Sequence, residues 1–504
     1  MVRHLSLILN SQFSILNSQL KMTYQETLDY LFNSLPMYHR IGKAAYKADI
    51  TNTVRLMEHL DNPEKKFRTI HVAGTNGKGS VSHTLSSVLM QAGYKVGLYT
   101  SPHLVDFRER IRINGQKIPE QQVTDFVCQH KDFMQGLDLS FFEMTVGLAF
   151  DYFAREQVDV AVIEVGMGGR LDSTNVITPD LCIITNIGFD HTQFLGDTLP
   201  KIAGEKAGII KRGVPVVIGE SHPETRPVFQ QKAEEMGAPI CFADDKYRIV
   251  EKPHAPLLDD TDLKFTVQLN DTSNNSQFNC PGDTSQFSIL NSQLTRPADM
   301  PQEERQPNSQ FSILNSPFTC PLSGSYQLHN LATLFQALEL LPQVGYHITL
   351  DNIVKGLSRV VADTGLHGRW EKMDVQPLTV CETAHNADGV DAMLKKLSEM
   401  PYRHLHLIYG CVNDKDYRKI LRMLPQDRTT YYYTQPSVPR ALPVAQLAEA
   451  AQELGMAGKA FPTVGEAIEH VRGIADKDED LVLVTGSIFL VADAVGYYTT
   501  KRPM

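Results

Sequence analysis

The residues Ala73-Gly74-Thr75-Asn76-Gly77-Lys78-Gly79-Ser80 separate two different hydrophobic patterns. Before them, FRTIHVAG is a short apolar run ending in glycine, which reads as a strand. After them, SVSHTLSSVLMQAG has helical spacing and a closing glycine. A strand that turns through small residues into a helix is the setting of a phosphate-binding loop. Small residues let the backbone approach closely, so its N–H groups can surround phosphate oxygens. Lys78 would then neutralise the outer phosphates, and Ser80 would offer a hydroxyl to Mg2+. The general spacing GxxxxGK[ST] is not met, because Gly79 separates the lysine from the hydroxyl. The plainer alternative is a glycine-rich βα turn with a surface lysine. Three glycines, Thr-Asn, lysine and serine in this setting argue against it.

The rest of the chain extends the same rhythm. KVGLYT, DVAVIEVG, LCIITNIG and PVVIG read as strands separated by helical segments, which predicts a mostly parallel sheet. A second α/β block begins near Gly368, with LTVCETAHN, HLHLIYG, TTYYYTQ and LVLVTGSIF alternating with segments such as PVAQLAEAAQELG. The expected fold is α/β: a P-loop-containing ATPase domain over 22–366 and a smaller Rossmann-like C-terminal domain over 367–504. HGRW, at the junction, holds the sole tryptophan.

The string SQFSILNS occurs from Ser11, Ser285 and Ser309, at irregular spacing. A solenoid needs a fixed period, so these copies read as a repeated DNA element translated in frame. Residues 271–317, rich in Ser, Asn, Gln and Pro, are expected to form an inserted, mostly disordered surface loop. Residues 1–21 read as a translated leader, with Met22 as the native start.

The net charge of −10 argues against a general nucleic-acid or anionic-membrane binder. No run approaches the roughly 18 apolar residues of a membrane span. The seven cysteines are scattered and form no CxxC pair, so neither a disulfide framework nor a zinc site is signalled. A reducing cytoplasm is the expected compartment.

Further residues carry candidate chemistry. Glu164 ends the apolar run DVAVIEV, and a carboxylate at the C-terminal edge of a parallel strand faces the ligand crevice, well placed as a hard ligand for magnesium. Its plainer reading is a solvated strand-end glutamate; the following GMGGRLD, with Arg170 and Asp172, favours function. Asp190-His191 follows LCIITNIG, where a histidine alone is more often structural. Lys206, in GEKAGI, would by itself be a solvated helix lysine. Arg369, His385 and Asn386 lie near expected loop ends of the second domain, each weak individually.

Together, GTNGKGS, TSPHL, RERIRING, FFEMTVGLAF, EVGMGGRLDSTN, TNIGFDH, GEKAGIIK, GSYQLHN, HGRWE and ETAHN resemble the folylpolyglutamate synthase/dihydrofolate synthase family of the Mur ligase superfamily. The resemblance runs from Met22 to the C-terminus, apart from the insertion. Mur ligases typically carry GTNGKT followed by a hydroxyl residue, whereas Gly79-Ser80 matches the folate branch. The resemblance implies that ATP phosphorylates a carboxylate of dihydropteroate or a folate, and that the amine of L-glutamate then displaces phosphate. It implies catalytic roles for Lys78, Lys206 and His191. It implies ATP contacts at Gly74, Thr75, Asn76, Gly77, Lys78, Gly79, Ser80, Asn330, Arg369, Glu382 and His385. Glu382 stands where many members have aspartate. The implied metal ligands are Ser80, Glu164, His191 and a carbamylated Lys206, for up to two Mg2+ ions. Ser101, Pro102, His103 and Arg110 match the folate-associated loop. Asp414-Lys415-Asp416 matches a family segment without an assigned role. The expected partners are these small molecules, with no nucleic acid, no membrane and a monomeric chain. Two other readings compete: a Mur-type peptidoglycan ligase acting on a UDP-sugar, and a P-loop ATPase module without ligation. Gly79, TSPHL and the lack of an evident UDP-binding domain oppose the first. Glutamate-independent ATP turnover would mark the second.

Overall fold

The computed structural model describes residues 22–36, 49–252, 262–270, 313–324, 326–413 and 416–501. Three sheets organise the chain. The first contains β1 (Arg68–Ala73), β2 (Val96–Tyr99), β3 (Ile111–Ile113), β4 (Gln116–Lys117), β5 (Val160–Glu164), β6 (Leu181–Ile184), β7 (Val216–Ile218) and β8 (Ile240–Phe242), in the order β4-β3-β2-β5-β1-β6-β7-β8. Its pairs are parallel except for the β2-β3-β4 edge, which is antiparallel. The second is antiparallel and comprises β9 (Tyr247–Glu251), β10 (Leu263–Leu269) and β11 (Phe318–Cys320). The third holds β12 (Glu371–Val375), β13 (Leu378–Glu382), β14 (His404–Tyr409), β15 (Thr429–Tyr433), β16 (Gly458–Ala460) and β17 (Asp480–Thr485), in the order β12-β13-β17-β14-β15-β16.

The expected α/β architecture is therefore present. The apolar runs IHVA and VAVIE are buried on both faces, as central parallel strands covered by helices must be. Sequence reading did not distinguish the antiparallel additions: β3, β4 and β11 are too short to show a period, whereas β10, LKFTVQL, alternates cleanly and carries a strand signal that the reading did not use.

Register decides where chemistry can occur. Val72 pairs with Glu164, and Ala73 pairs with Ile184. The carboxyl ends of β1, β5 and β6 thus reach one edge, so Gly74, Glu164 and Thr185 emerge together. In the third sheet, Glu382, Thr485 and Tyr409 are level in the same way. Helix Lys78–Gln91 leaves the β1 edge and packs beneath helix Leu350–Thr364 so closely that a Cβ at Gly356 would lie 2.5 Å from Val88 Cα. Helix Leu350–Thr364 then leads through Gly365 into the C-terminal sheet.

The 1–21 leader and residues 271–312 of the expected insertion lie outside the described residues. Its last five residues depart from a surface loop. Ile313 is buried in the core, and the Asn315 N–H donates to Val267 O at 2.9 Å. Leu314 bridges Val267 in parallel, so the backbone of this stretch pairs with β10 while Ile313 enters the core. Ile313→Ala is accordingly expected to cost about 2–5 kcal/mol. Chemical denaturation would show this as a lower midpoint, and an unchanged midpoint would return 313–317 to the surface.

Among the described residues, Cys128, Cys182, Cys320, Cys381 and Cys411 are in no disulfide, while Cys241 is disulfide-bonded, although the cysteine spacing signals no disulfide framework. Among the described residues, no helix is long and apolar enough to cross a membrane.

Candidate active site

The glycine loop sits on the end of β6. Thr75 N donates to Asn186 O at 3.0 Å, Asn76 N donates to Asn186 Oδ1 at 2.8 Å, and the Thr185 hydroxyl donates to Asn76 O. Gly188 N donates to the Thr75 hydroxyl at 2.9 Å. These bonds hold the loop before any ligand arrives. Gly77, with φ of 84°, begins the helix in a left-handed conformation, and a Cβ there would lie 2.1 Å from Asn330 Oδ1. Glycine is required on both counts. At Gly74, a Cβ would lie 1.9 Å from the Thr185 hydroxyl oxygen.

Two lysines meet on one carbonyl. Lys78 Nζ donates to Gly74 O at 3.0 Å and to Thr75 O at 3.1 Å, and Lys206 Nζ donates to the same Gly74 O at 2.9 Å. Lys206 is brought there by helix Leu199–Ala207 and is buried. Burial, then repulsion from Lys78, brings its pKa down to about 7, against the attraction of Asp190 and Asp172. The plainer alternative of a solvated helix lysine is therefore excluded.

Glu164 is buried at the strand end and accepts from Ser101 N at 3.3 Å. Burial raises its pKa, while Lys78, the Ser101 amide, Arg369 and Arg110 oppose the rise. A Cβ at Gly79 would lie 3.7 Å from an Arg369 guanidinium nitrogen and 4.0 Å from both Glu164 oxygens. The first domain's loop and the second domain's arginine therefore share one space. The Ser80 hydroxyl accepts from Gln327 Nε2 at 3.2 Å, and Asn330 Nδ2 donates to Gln327 Oε1 at 2.8 Å.

The opposite wall comes from the second domain. Asn386 Nδ2 donates to Asn76 Oδ1 at 3.1 Å. Asp190 Oδ2 lies 3.7 Å from His385 Nε2 and 3.8 Å from His191 Nε2. His385 Nδ1 lies 2.9 Å from Thr383 O, so the tautomer that fits carries its proton on Nδ1 and turns Nε2 to the cleft. Glu382, an implied ATP contact, already has protein partners. It is buried, and its Oε2 accepts from Trp370 N at 2.9 Å and from the Tyr326 hydroxyl at 2.8 Å.

The candidate folate loop lies beside Glu164. Ser101-Pro102 is a cis peptide. Arg110 Nε donates to His103 Nδ1 at 2.8 Å, and the Arg110 guanidinium stands over the Phe141 ring, 5.3 Å from its centroid. Phe32 stacks on Phe141 at 5.5 Å and meets His103 edge-on at 6.1 Å. A cation and several aromatic faces next to a buried carboxylate suit a flat, partly anionic ligand.

Most candidate residues thus converge on the junction of two sheet edges. Among the described residues, no three His, Cys, Asp or Glu side chains form a metal-holding group. Asp414 and Lys415 lie outside the described residues. Sequence reading assigned no role to Thr185, Asn186 or Gln327. They sit inside or next to the quoted motifs TNIGFDH and GSYQLHN, but only the loop's hydrogen-bonding needs reveal what they do.

The chain is similar to known proteins over both sheets' domains. Residues 72–244 match the Mur ligase middle domain, and 368–488 match the Mur ligase, glutamate ligase domain. A folylpolyglutamate synthase of Lacticaseibacillus casei is 32% identical over 480 residues, covering 94% of this chain and 97% of the relative. A dihydrofolate synthase/folylpolyglutamate synthase of Bacillus subtilis is 30% identical over 461 residues, covering 90% and 95%. The structure of E. coli FolC in complex with DHPP and ADP is similar with a TM-score of 0.73 and 26% identity, covering 96% of this chain and 99% of that one.

Proposed function

Since the chain belongs to the folylpolyglutamate synthase/dihydrofolate synthase family of Mur ligases, we infer that it is an ATP-dependent ligase that joins L-glutamate to folates. The peptidoglycan reading loses to relatives that match over nearly the whole chain. One observation carries the chemistry: the loop Gly74–Ser80 faces Glu164 of its own domain and Arg369 of the other.

The substrate carboxylate, a poor electrophile, attacks the γ-phosphorus of ATP. ADP leaves, and an acyl phosphate forms. The glutamate amine attacks the acyl carbon, phosphate departs, and the amine loses a proton to give the amide. Phosphoryl transfer needs positioning and charge neutralisation more than a protein nucleophile. The loop amides and Lys78 neutralise the phosphates, and Arg369 approaches from the second domain. Arg110 and His103, beside the aromatic cluster, orient the folate.

The Ser80 hydroxyl and the Glu164 carboxylate are hard oxygen donors. They fit Mg2+, which takes one or two protein oxygens together with phosphate oxygens. Bound there, the ion would supply further neutralisation of phosphate charge. His191 and a carbamylated Lys206 would complete a second site. We also take 22–366 and 367–504 as the two domains, joined near Leu366–Trp370, and place a monomeric enzyme in the cytoplasm.

Glutamate-dependent ADP release, with dihydropteroate and tetrahydrofolate assayed separately, tests the function. Activity with both defines a bifunctional enzyme, and activity with one names the substrate. ATP turnover that ignores glutamate would defeat the ligase reading.

A further inference from the structure

Arg112, on β3, is almost fully buried, yet it lies outside the set of residues that face the cleft. Burial disfavours its charge, against the attraction of Glu109 and Asp106. A buried guanidinium is costly unless it holds something in place. Its two terminal nitrogens donate to carbonyls of separate segments: Glu109 O, and Gly365 O at 3.4 Å.

Each segment leads to a different substrate. The Glu109 carboxylate accepts from Leu104 N at 2.8 Å, Val105 N at 3.2 Å and Asp106 N at 2.9 Å, which fixes the loop following Ser101-Pro102-His103. Gly365 ends helix Leu350–Thr364 and opens the linker to Arg369. That linker is pinned further on: Glu371 accepts from Gly368 N at 2.6 Å and lies 2.7 Å from His367 Nδ1. It is also pinned at its start, where His83 of the phosphate-loop helix lies 2.8 Å from the Thr364 hydroxyl. Leu104 packs against the C-terminal core beside Gly368.

Resting on the ligase reading above, we propose that Arg112 is a positioning residue that holds the folate loop and the domain linker in one placement. Arg369 and the folate carboxylate can then meet at the phosphate loop without either segment having to be ordered at the moment of reaction. Small misplacements at a reacting centre cost rate steeply.

Arg112→Lys is the test, because a lysine keeps the cation but loses the planar fork that spans two carbonyls. Amide hydrogen exchange is expected to accelerate at both 104–106 and 365–368 and to stay unchanged in β13–β17. The KM for the folate substrate and the KM for ATP are both expected to rise, by about tenfold and several-fold respectively, with the melting temperature nearly unchanged. Glu109→Gln serves as the contrast and is expected to loosen 104–106 alone. Faster exchange in only one segment of Arg112→Lys, no change in either, or parallel loss of both KM values with a lower melting temperature would overturn the proposal. Exchange is read without turnover, so an inactive wild-type enzyme would defeat the ligase reading while the role of Arg112 is still measured.

Discussion

Replacing Lys78 with alanine is expected to lower kcat by at least about 100-fold while the protein still folds. Removal of one preorganised donor aimed at developing charge costs roughly 10²–10³ in rate, and a full cation beside phosphate oxygens belongs at the upper end. The fold should survive for a structural reason. The substitution removes the two Lys78 bonds to Gly74 O and Thr75 O, but the loop keeps those to Thr185, Asn186 and Gly188, and Gly74 O keeps Lys206 as a donor. A second signature follows from the shared carbonyl. Lys78 is the largest charge depressing Lys206, so its removal raises the Lys206 pKa, and residual activity should need a higher pH. Steady-state kinetics across pH, with a melting curve for each protein, reads all three effects. Near wild-type kcat in Lys78→Ala would remove the lysine from phosphate chemistry.

How far the sequence revealed this site depended on how local each signal was. The loop Gly74–Ser80 was legible because strand, glycines and helix follow one another directly. Glu164 was legible because a buried parallel strand puts its last residue at the ligand edge. The convergence of Arg369, His385 and Asn386 on that edge was weak in the residues themselves and rested on the resemblance, since residues some 300 positions apart meet only through the docking of two sheets. A lone lysine pattern gave no hint that Lys206 is buried on Gly74 O. Glu382 came in only through the resemblance, and the structure adds what the sequence could not show: its Oε2 already accepts from Trp370 N and the Tyr326 hydroxyl. Ile313 lay in a compositionally foreign segment, and composition reports average solvation rather than where one side chain packs.

Lys206→Ala is the other substitution expected to act strongly, through a different chemistry. A lysine buried beside a second ammonium is a poor cation but a good nucleophile. With a pKa of about 7, close to half of it is neutral at pH 7, compared with roughly one part in 2,500 for a lysine at its ordinary pKa of about 10.4. The neutral amine can add to carbon dioxide, forming an N–C bond and releasing one proton, and the product is an anionic carbamate. Because burial lowers the pKa, the reactive fraction grows as pH rises through 7 and falls to about a tenth by pH 6. Wild-type turnover should therefore weaken on the acid side and on removal of dissolved carbon dioxide, and bicarbonate should restore it. In Lys206→Ala, turnover should drop about 100-fold or more. The space left beside Gly74 O should admit a short carboxylic acid such as acetate or formate, recovering part of the rate and leaving it indifferent to bicarbonate. Unchanged activity would strip Lys206 of any catalytic part. Loss of activity in a folded variant, with no recovery by either acid and no bicarbonate response in the wild type, would leave the amine itself, donating to Gly74 O, as what the reaction requires.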